Sequence, residues 1–224
     1  MKILAIDIGY GHIKFVFVDY KAKVREIKFP TAITFYEGGF GSYADDEFFE
    51  FDGENYIVGE EAMSDSIDSR DPDFLIKYAP VFIAYAIKLT GMKSTDFSVI
   101  STGMSIMNWH KQVDFKEAVS SFTVSKVKYR FKKVIVSKQG EGILHNEGLA
   151  KSSKVLIIDG GYQTLDAIPF NNGKLNSKGA FANDFGVAKI VKLVQREVFE
   201  LTKENYSMVE VNAFVKDGSL VHAT

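Results

Sequence analysis

The chain has 224 residues, 46% of them apolar and 13% aromatic, with a formal net charge of −2 at neutral pH. That length allows one or two domains with a substantial core, and the near-neutral balance excludes a protein that wraps nucleic acid by global charge. Cysteine is absent, which excludes disulfides and thiolate metal sites and fits a reducing cytoplasm; the longest apolar candidate for a membrane span, Ala79 to Leu89, is too short and carries Lys88. The amino end enters an apolar stretch without the pattern of a signal peptide.

Lys2 to Ile6 and His12 to Val18 read as two strands, the second rich in β-branched and aromatic residues. Between them lies Asp7-Ile8-Gly9-Tyr10-Gly11. Two glycines in such a turn let the backbone approach a bound group, and their N–H groups can form an anion-binding nest. Asp7, at the end of the first strand, suits a metal or its bound water beside phosphates, and Lys14 adds a positive charge within reach of the same anion. Gly-x-Gly between apolar runs is equally the signature of a plain hairpin turn.

Val24 to Phe29 reads as a third strand closed by Pro30, completing an antiparallel set. From Phe35 to Met63 the character changes: Gly38-Gly39-Phe40-Gly41 is flexible, Asp45-Asp46-Glu47 is acidic, and Phe48 to Phe51 with Tyr56 to Val58 flank Asp52-Gly53, a hairpin signal. Phe74, Leu75, Tyr78, Phe82, Tyr85, Ala86 and Leu89 fall at helical spacing and end at Gly91, and their aromatic stripe reads as core. Phe97 to Ser101 is a short strand, and Thr102-Gly103-Met104 reads as a loop at its carboxyl end, where ligands often bind in open α/β sheets. Asn108 to Ser120 carries Trp109, Val113, Phe115 and Val119 at helical spacing, with His110 and Asp114 one turn apart as either a surface pair or an acid–base or metal pair.

Val124 to Phe131 alternates apolar residues with Lys126, Lys128 and Arg130, followed by Lys132 and Lys133, as a strand with a basic face turned either to solvent or to an acidic partner. Val134 to Val136 is a buried strand leading into Gln139-Gly140-Glu141-Gly142 and a short helix toward Leu149. Then the opening design recurs. Val155 to Ile158 is an apolar strand ending in Asp159, Gly160-Gly161-Tyr162-Gln163-Thr164 forms a turn, and Leu165-Asp166 opens a second strand running to Phe170. Asn171-Asn172-Gly173 is a turn, Lys174 to Ala180 a return strand, and after Asn183-Asp184 a helix carries the stripe Val187, Ile190, Val191, Val194, Val198 and Leu201. Ser207 to Val215 reads as a last helix.

Asp-x-Gly-Tyr thus occurs twice, at Asp7 to Tyr10 and at Asp159 to Tyr162. Two such units facing each other across a cleft would hold successive phosphates, with Asp7 and Asp159 flanking a bridging divalent cation. At these residues the chain resembles the superfamily of actins, heat-shock chaperones and sugar kinases, and within it the actin-like ATPases of the ParM/StbA plasmid-segregation type. Asp7-Ile8-Gly9-Tyr10-Gly11-His12-Ile13-Lys14 is similar to that family's first phosphate motif, Val134 to Gly142 to its first connecting segment, and Asp159 to Asp166 to its second phosphate motif.

The resemblance implies an α/β, actin-like (ribonuclease-H-type) fold of mixed sheets flanked by helices. It implies a first lobe over 1–150 with a small insert at about 35–63 that contacts the next filament subunit, and a partial second lobe over 151–224. The implied activity is hydrolysis of Mg-ATP coupled to polymerisation into cytomotive filaments for plasmid or DNA segregation, in the cytoplasm, alongside a DNA-bound adaptor. No direct nucleic-acid or membrane binding is implied. Asp7 and Asp159 would hold Mg2+ or its waters, and the stretches Gly9, Tyr10, Gly11, His12 and Gly160, Gly161, Tyr162, Gln163, Thr164 would hold ATP or ADP phosphates together with Lys14 and Asp166. Gln139 would orient the attacking water, with Glu141 as the alternative, and Gly186 would line the nucleotide.

Tyr10 and Tyr162 depart from the small residues usual in those motifs. The family's second connecting strand, Gly-Gly adenosine motif and closing helix are not found before Thr224, so the second lobe is expected to be incomplete, as a fragment or a shortened protein. Two other readings remain open: a small-molecule kinase of the same superfamily, which needs a carboxylate base in the cleft, and an actin-like interaction module that no longer hydrolyses nucleotide.

Overall fold

The computed structural model describes residues 2–36, 48–63, 65–67, 71–145 and 154–217. Its centre is a mixed five-stranded sheet built from β1 (Lys2–Ile8), β2 (His12–Val18), β3 (Val24–Pro30), β7 (Phe97–Met104) and β10 (Lys133–Lys138), in the order β10-β7-β1-β2-β3. The first three strands are antiparallel, as their turn spacing predicts, whereas β7 and β10 run parallel to β1. A helix, α1 (Pro72–Thr90), lies against β1 and β2. Asp71 caps it by accepting the Asp73 N–H at 2.8 Å, and Gly91 ends it at φ 67°, a conformation that costs glycine nothing.

The predicted stripe of α1 is core: Phe74, Tyr78 and Phe82 are buried, and so are Ala79, Val81, Ile83 and Ala84 on the other side. The helix is covered nearly all round because β8 (Ser121–Val124) and α2 (Gln112–Ser120) also pack against it. Each such fully buried large side chain contributes about 1.5–3 kcal/mol.

The predicted insert hairpin forms as β5 (Phe49–Phe51) and β6 (Glu54–Val58), turning at Asp52 and Gly53 with φ of 54° and 82°, and β4 (Ile33–Phe35) pairs with β6. Phe49 and Tyr56 point into the main core, so the hairpin is anchored by its aromatics. The glycine-rich and acidic stretch 37–47 and the helix expected beyond residue 145 lie outside the described residues.

Four expectations change. Thr102, Gly103 and Met104 continue β7, because β1 pairs with it as far as Thr102 and β10 carries the ladder on through Gly103 and Met104. The helix expected from Asn108 begins as a 3₁₀ turn over Ile106–Lys111 and becomes α2 (Gln112–Ser120). The basic strand of 124–131 is a hairpin, β8 (Ser121–Val124) and β9 (Val127–Arg130), closed by Ser125 and Lys126 at φ 48° and 63°. The return strand of 174–180 is reduced to β13 (Lys174–Leu175).

A second sheet contains β11 (Lys154–Gly160), β12 (Leu165–Asn171), β13 and β14 (Phe181–Asn183), with β12 central. Two helices follow, α3 (Val187–Thr202) and α4 (Met208–Asp217). The β11–β12 hairpin repeats β1–β2 in register: Asp159 is opposite Asp166 as Asp7 is opposite Lys14, and Ile157 opposite Ile168 as Ala5 is opposite Val16. Burial is inverted between them. Leu4 and Ile6, under α1, are 0% and 3% exposed, while their counterparts Leu156 and Ile158 are 61% and 66% exposed, with no helix over them among the described residues. The opposite face of β11, through Ile157, packs with Ile168, Phe170 and Ile106. The stripe of α3 is divided likewise: Val191 and Val198 are buried, Ile190 and Leu201 exposed.

Candidate functional site

The two Asp–glycine hairpins meet at a cleft of about 530 Å3. Asp7, Gly9, Tyr10, Gly11, His12 and Lys14 line one side, Asp159, Gly160, Gly161, Tyr162, Gln163 and Thr164 the other, and Gln139 reaches it from the end of β10. Asp7 and Asp159, 152 positions apart in the chain, are brought together because β1 and β11 both end at the cleft.

The turns touch. A Cβ on Gly11 would stand 2.8 Å from Cβ of Tyr162, so glycine there is what allows the two turns to close up. Thr31 braces the first turn, its hydroxyl donating to the Gly9 carbonyl at 2.5 Å and its N–H to that of Gly11 at 3.2 Å. The second turn is held by α3: the N–H groups of Gly186, Val187 and Ala188 donate to the carbonyls of Gln163, Gly161 and Tyr162. A Cβ on Gly186 would lie 2.4 Å from the Gln163 carbonyl carbon, which leaves no room for any other residue. Gly186 therefore stands behind the turn as its support.

Gln139 Nε2 donates to Asp7 Oδ1 at 3.1 Å, and its backbone N–H donates to the Met104 carbonyl at 2.9 Å. Gly140 then turns the chain at φ 84°; a Cβ there would be 3.1 Å from side-chain carbons of Ile157 and Ile168, where the chain passes beneath the second sheet. Glu141 takes another course, its carboxylate accepting the Lys138 N–H at 3.3 Å. Asp166 is 1% exposed and lies behind the cleft wall, where its Oδ1 accepts the Ser105 hydroxyl at 2.8 Å. His110 and Asp114 are exposed on the surface.

Electrostatics in the cleft favour a cation. Burial pushes the Asp159 carboxyl above the ordinary range, and the nearby carboxylates of Asp166 and Asp7 push it further, with Lys14 opposing. Tyr10 is pushed up to about 12 by burial, against the amide of Asn108, which donates to its hydroxyl at 3.0 Å. Its phenol is neutral at any physiological pH. Thr31, Ser105 and Asn108, together with Lys28, which lines the cleft opposite Lys14 in register, were not signalled by any sequence motif.

These residues fit a magnesium nucleotide. Among the described residues no group of three His, Cys, Asp or Glu can hold a metal by itself. Magnesium is commonly bound by one or two carboxylates with the remaining positions taken by phosphates and water. Two half-buried aspartates that line the cleft at the ends of β1 and β11, with glycine backbone beside each, offer that set. Gly160 has nothing within 4 Å of where a Cβ would be, so its backbone is open to an approaching group.

A pair of in-register Asp–glycine hairpins on two mixed sheets, joined through a Gln-bearing crossing segment, defines an actin-like fold. The sequence model of a family described as actin like proteins, N terminal domain, matches residues 5–142, and the chain belongs to this family. Among solved structures, Ta0583, an archaeal actin homolog in its native crystal form, superposes with a TM-score of 0.75 at 21% identity, over 95% of this chain and 71% of that one. AlfA from the B. subtilis plasmid pLS32, solved as a filament, gives 0.62 at 17% identity over 99% and 91% of the two chains. The apo psk41 parM protein gives 0.59 at 15% identity over 97% and 78%. At these identities the likeness is one of fold. No curated protein sequence matches the chain.

Proposed function

We propose that this chain binds Mg-ATP between its two glycine turns, hydrolyses it, and polymerises into cytoplasmic filaments that segregate plasmid or other DNA through a DNA-bound adaptor. The observation that carries the reading is the in-register repeat of the Asp–glycine hairpins, closed on one cleft with Gln139 bonded to Asp7. Support comes from the relatives: Ta0583 has been solved in complex with ADP, AlfA as a filament bound to AMPPNP, and Alp12 as a filament. We divide the chain into a first lobe over 1–150 and a partial second lobe over 151–224.

Bound Mg2+ would supply charge neutralisation across the phosphates. The chain's own work is positioning. Asp7 and Asp159 would hold the metal or its waters, backbone N–H groups of the turns Gly9 to Gly11 and Gly160 to Thr164 would hold phosphate oxygens, apart from that of Gly161, which donates to the Thr164 carbonyl at 2.8 Å, and Lys14 would offset their charge. Gln139, whose amide both donates and accepts, orients a water for attack while its bond to Asp7 fixes its rotamer. Asp166, held by Ser105, keeps a negative potential behind Asp159 that favours the cation.

The kinase alternative needs a carboxylate base in the cleft, and among the described residues its candidate, Glu141, does not line the cleft and accepts the Lys138 N–H instead. The deciding experiment follows light scattering and sedimentation with Mg-ATP, Mg-ADP and no nucleotide while phosphate release is recorded. ATP-dependent pelleting that decays as phosphate accumulates supports the proposal. Nucleotide binding without turnover or pelleting overturns it in favour of an interaction module, and phosphate transfer to a sugar in a coupled assay would turn it toward the kinase.

A further inference from the structure

Between Ser121 and Lys133 the chain carries five cations, Lys126, Lys128, Arg130, Lys132 and Lys133, and no carboxylate, although its net charge is −2. The β8–β9 hairpin sorts this stretch by face. On the inner side Phe122 stacks on Tyr129 with ring centres 4.9 Å apart, and Val124 is buried beside them. On the outer side Ser121 lies opposite Arg130 and Thr123 opposite Lys128, all four exposed. Lys126 stands exposed in the turn, and exposed Lys132 and Lys133 follow β9 directly. Phe122, Val124, Tyr129 and Phe131 all belong to the main core, so the cations stand on a rigid support.

Their charge is not compensated. None of the five forms an ion pair among the described residues. Asp96, in the turn packed against β9, is engaged elsewhere: it accepts the Tyr20 hydroxyl at 2.6 Å and the Lys93 N–H at 3.0 Å. Exposed carboxylates on the neighbouring elements, Glu50 beside the turn and Glu117 on α2, leave the cations unpaired as well.

Lys and Arg side by side with Ser and Thr hydroxyls are the donors by which proteins hold the phosphates of nucleic acid. Lys128 and Arg130 are one pleat repeat apart, about 6.6–6.8 Å, which lets them meet neighbouring phosphates of one strand. Phe122, Tyr129 and Phe131 are buried, so the hairpin offers no ring on which unpaired bases could stack, and a duplex is favoured over a single strand. The major groove of B-form DNA admits a two-stranded ribbon, whereas that of A-form RNA is too narrow. Val127 is the one large apolar side chain exposed on the hairpin, too little to enter a lipid surface. We propose that the outer face of β8–β9 binds duplex DNA directly through its phosphate backbone, without sequence preference and independently of nucleotide. This contact is the chain's own, in addition to any made through an adaptor.

Fluorescence anisotropy of a short labelled duplex, titrated with the full nucleotide-free chain over a range of salt, tests the proposal. Log K should fall with log[salt] at about 0.9 per phosphate neutralised, so the slope should not exceed about −4.5 for the five cations. K128Q/R130Q should make the slope shallower by about 2 and weaken binding about tenfold or more near 0.1 M salt. K128R/R130K, which keeps both charges, should bind like the wild type. So should K174Q/K178Q, which removes the same charge from exposed positions after β12. An unchanged thermal melt shows that each variant is folded. A wild type that does not bind at low salt, an affinity indifferent to salt, or equal losses in the two glutamine variants overturns the proposal. Tighter binding of a single strand or an RNA duplex of the same length overturns it too, and so does displacement of the DNA by anionic phospholipid vesicles at equal phosphate concentration.

Discussion

Asp166 stands in the second hairpin where Lys14 stands in the first: each is the cross-strand partner of the motif aspartate, Asp159 or Asp7. The repeat is therefore one of backbone with the charge reversed. Asp7 has a cation opposite it, whereas Asp159 has a buried carboxylate, and among the described residues the cation that acts on it is Lys14, from the other side of the cleft.

This asymmetry sets the response to pH. The Asp159 carboxyl is raised in the folded chain by burial and by Asp166 and Asp7. A raised carboxyl favours the folded state fully below the unfolded value of about 3.9, and that contribution is lost as pH rises through the higher folded value. At neutral pH the ionised group is a liability in the absence of a bound cation. Asp159→Asn should raise the melting temperature of the nucleotide-free protein near pH 7 by a few degrees, about 2–4 °C for each kcal/mol relieved. The gain should vanish near pH 4, and ATP turnover should be abolished. Thermal melts across pH with a phosphate-release assay check both halves; a variant that keeps turnover contradicts the role given to Asp159.

The glycines of the second turn divide by what stands around them. Gly186→Ala places a methyl 2.4 Å from the backbone of Gln163 and Tyr162, and neither atom can move without opening the turn. Overpacking of this kind costs about 1–3 kcal/mol or more, so the melting temperature should fall by several degrees. Gly160→Ala meets nothing within 4 Å and should leave the melt unchanged while weakening nucleotide binding. Differential scanning fluorimetry with and without Mg-ATP separates the two effects.

Much of this architecture was legible in the residues. The two Asp–glycine hairpins, α1 from its aromatic stripe to Gly91, and the Asp52-Gly53 turn all follow from local periodicity and turn chemistry. Local signals failed where tertiary contacts decide. Thr102-Gly103 reads as a loop, yet β7 continues through it because β1 pairs with Thr102 and β10 with both residues. Ser125-Lys126 contains no glycine or asparagine, but both residues take positive φ because the Phe122–Tyr129 stack and the Glu50 bonds reward the turn. Ser105 and Asn108 carry no motif at all: one reaches Asp166 across 61 positions and the other Tyr10 across 98, distances that only the fold closes.

Ser105 can be tested on that basis. Its hydroxyl is the hydrogen-bond donor to a carboxylate 1% exposed, and a buried acceptor left without its donor costs about 1–3 kcal/mol. Ser105→Ala should lower the melting temperature by several degrees, and Ser105→Thr, which keeps the hydroxyl, should restore most of it. Equal melts for the two variants would show that the bond contributes nothing.

The inverted burial of the two hairpins yields the sharpest contrast. Leu4 and Leu156 occupy equivalent places in β1 and β11, but the first lies under α1 and the second faces outward. Leu4→Ala removes packed methyl groups and leaves a cavity, at a cost of about 2–5 kcal/mol. Leu156→Thr paired with Ile158→Thr removes apolar groups that face water and leaves a β-branched residue at both strand positions, so the stability change should stay within about 0.5 kcal/mol. The same pair of substitutions should reduce binding of a hydrophobic dye such as ANS, because Leu156 and Ile158 form part of the apolar surface left open beside β11. Chemical denaturation and dye fluorescence on the three proteins decide the matter. A large loss of stability in the double variant would mean that β11 is covered in solution, and undiminished dye binding would place the open apolar surface elsewhere.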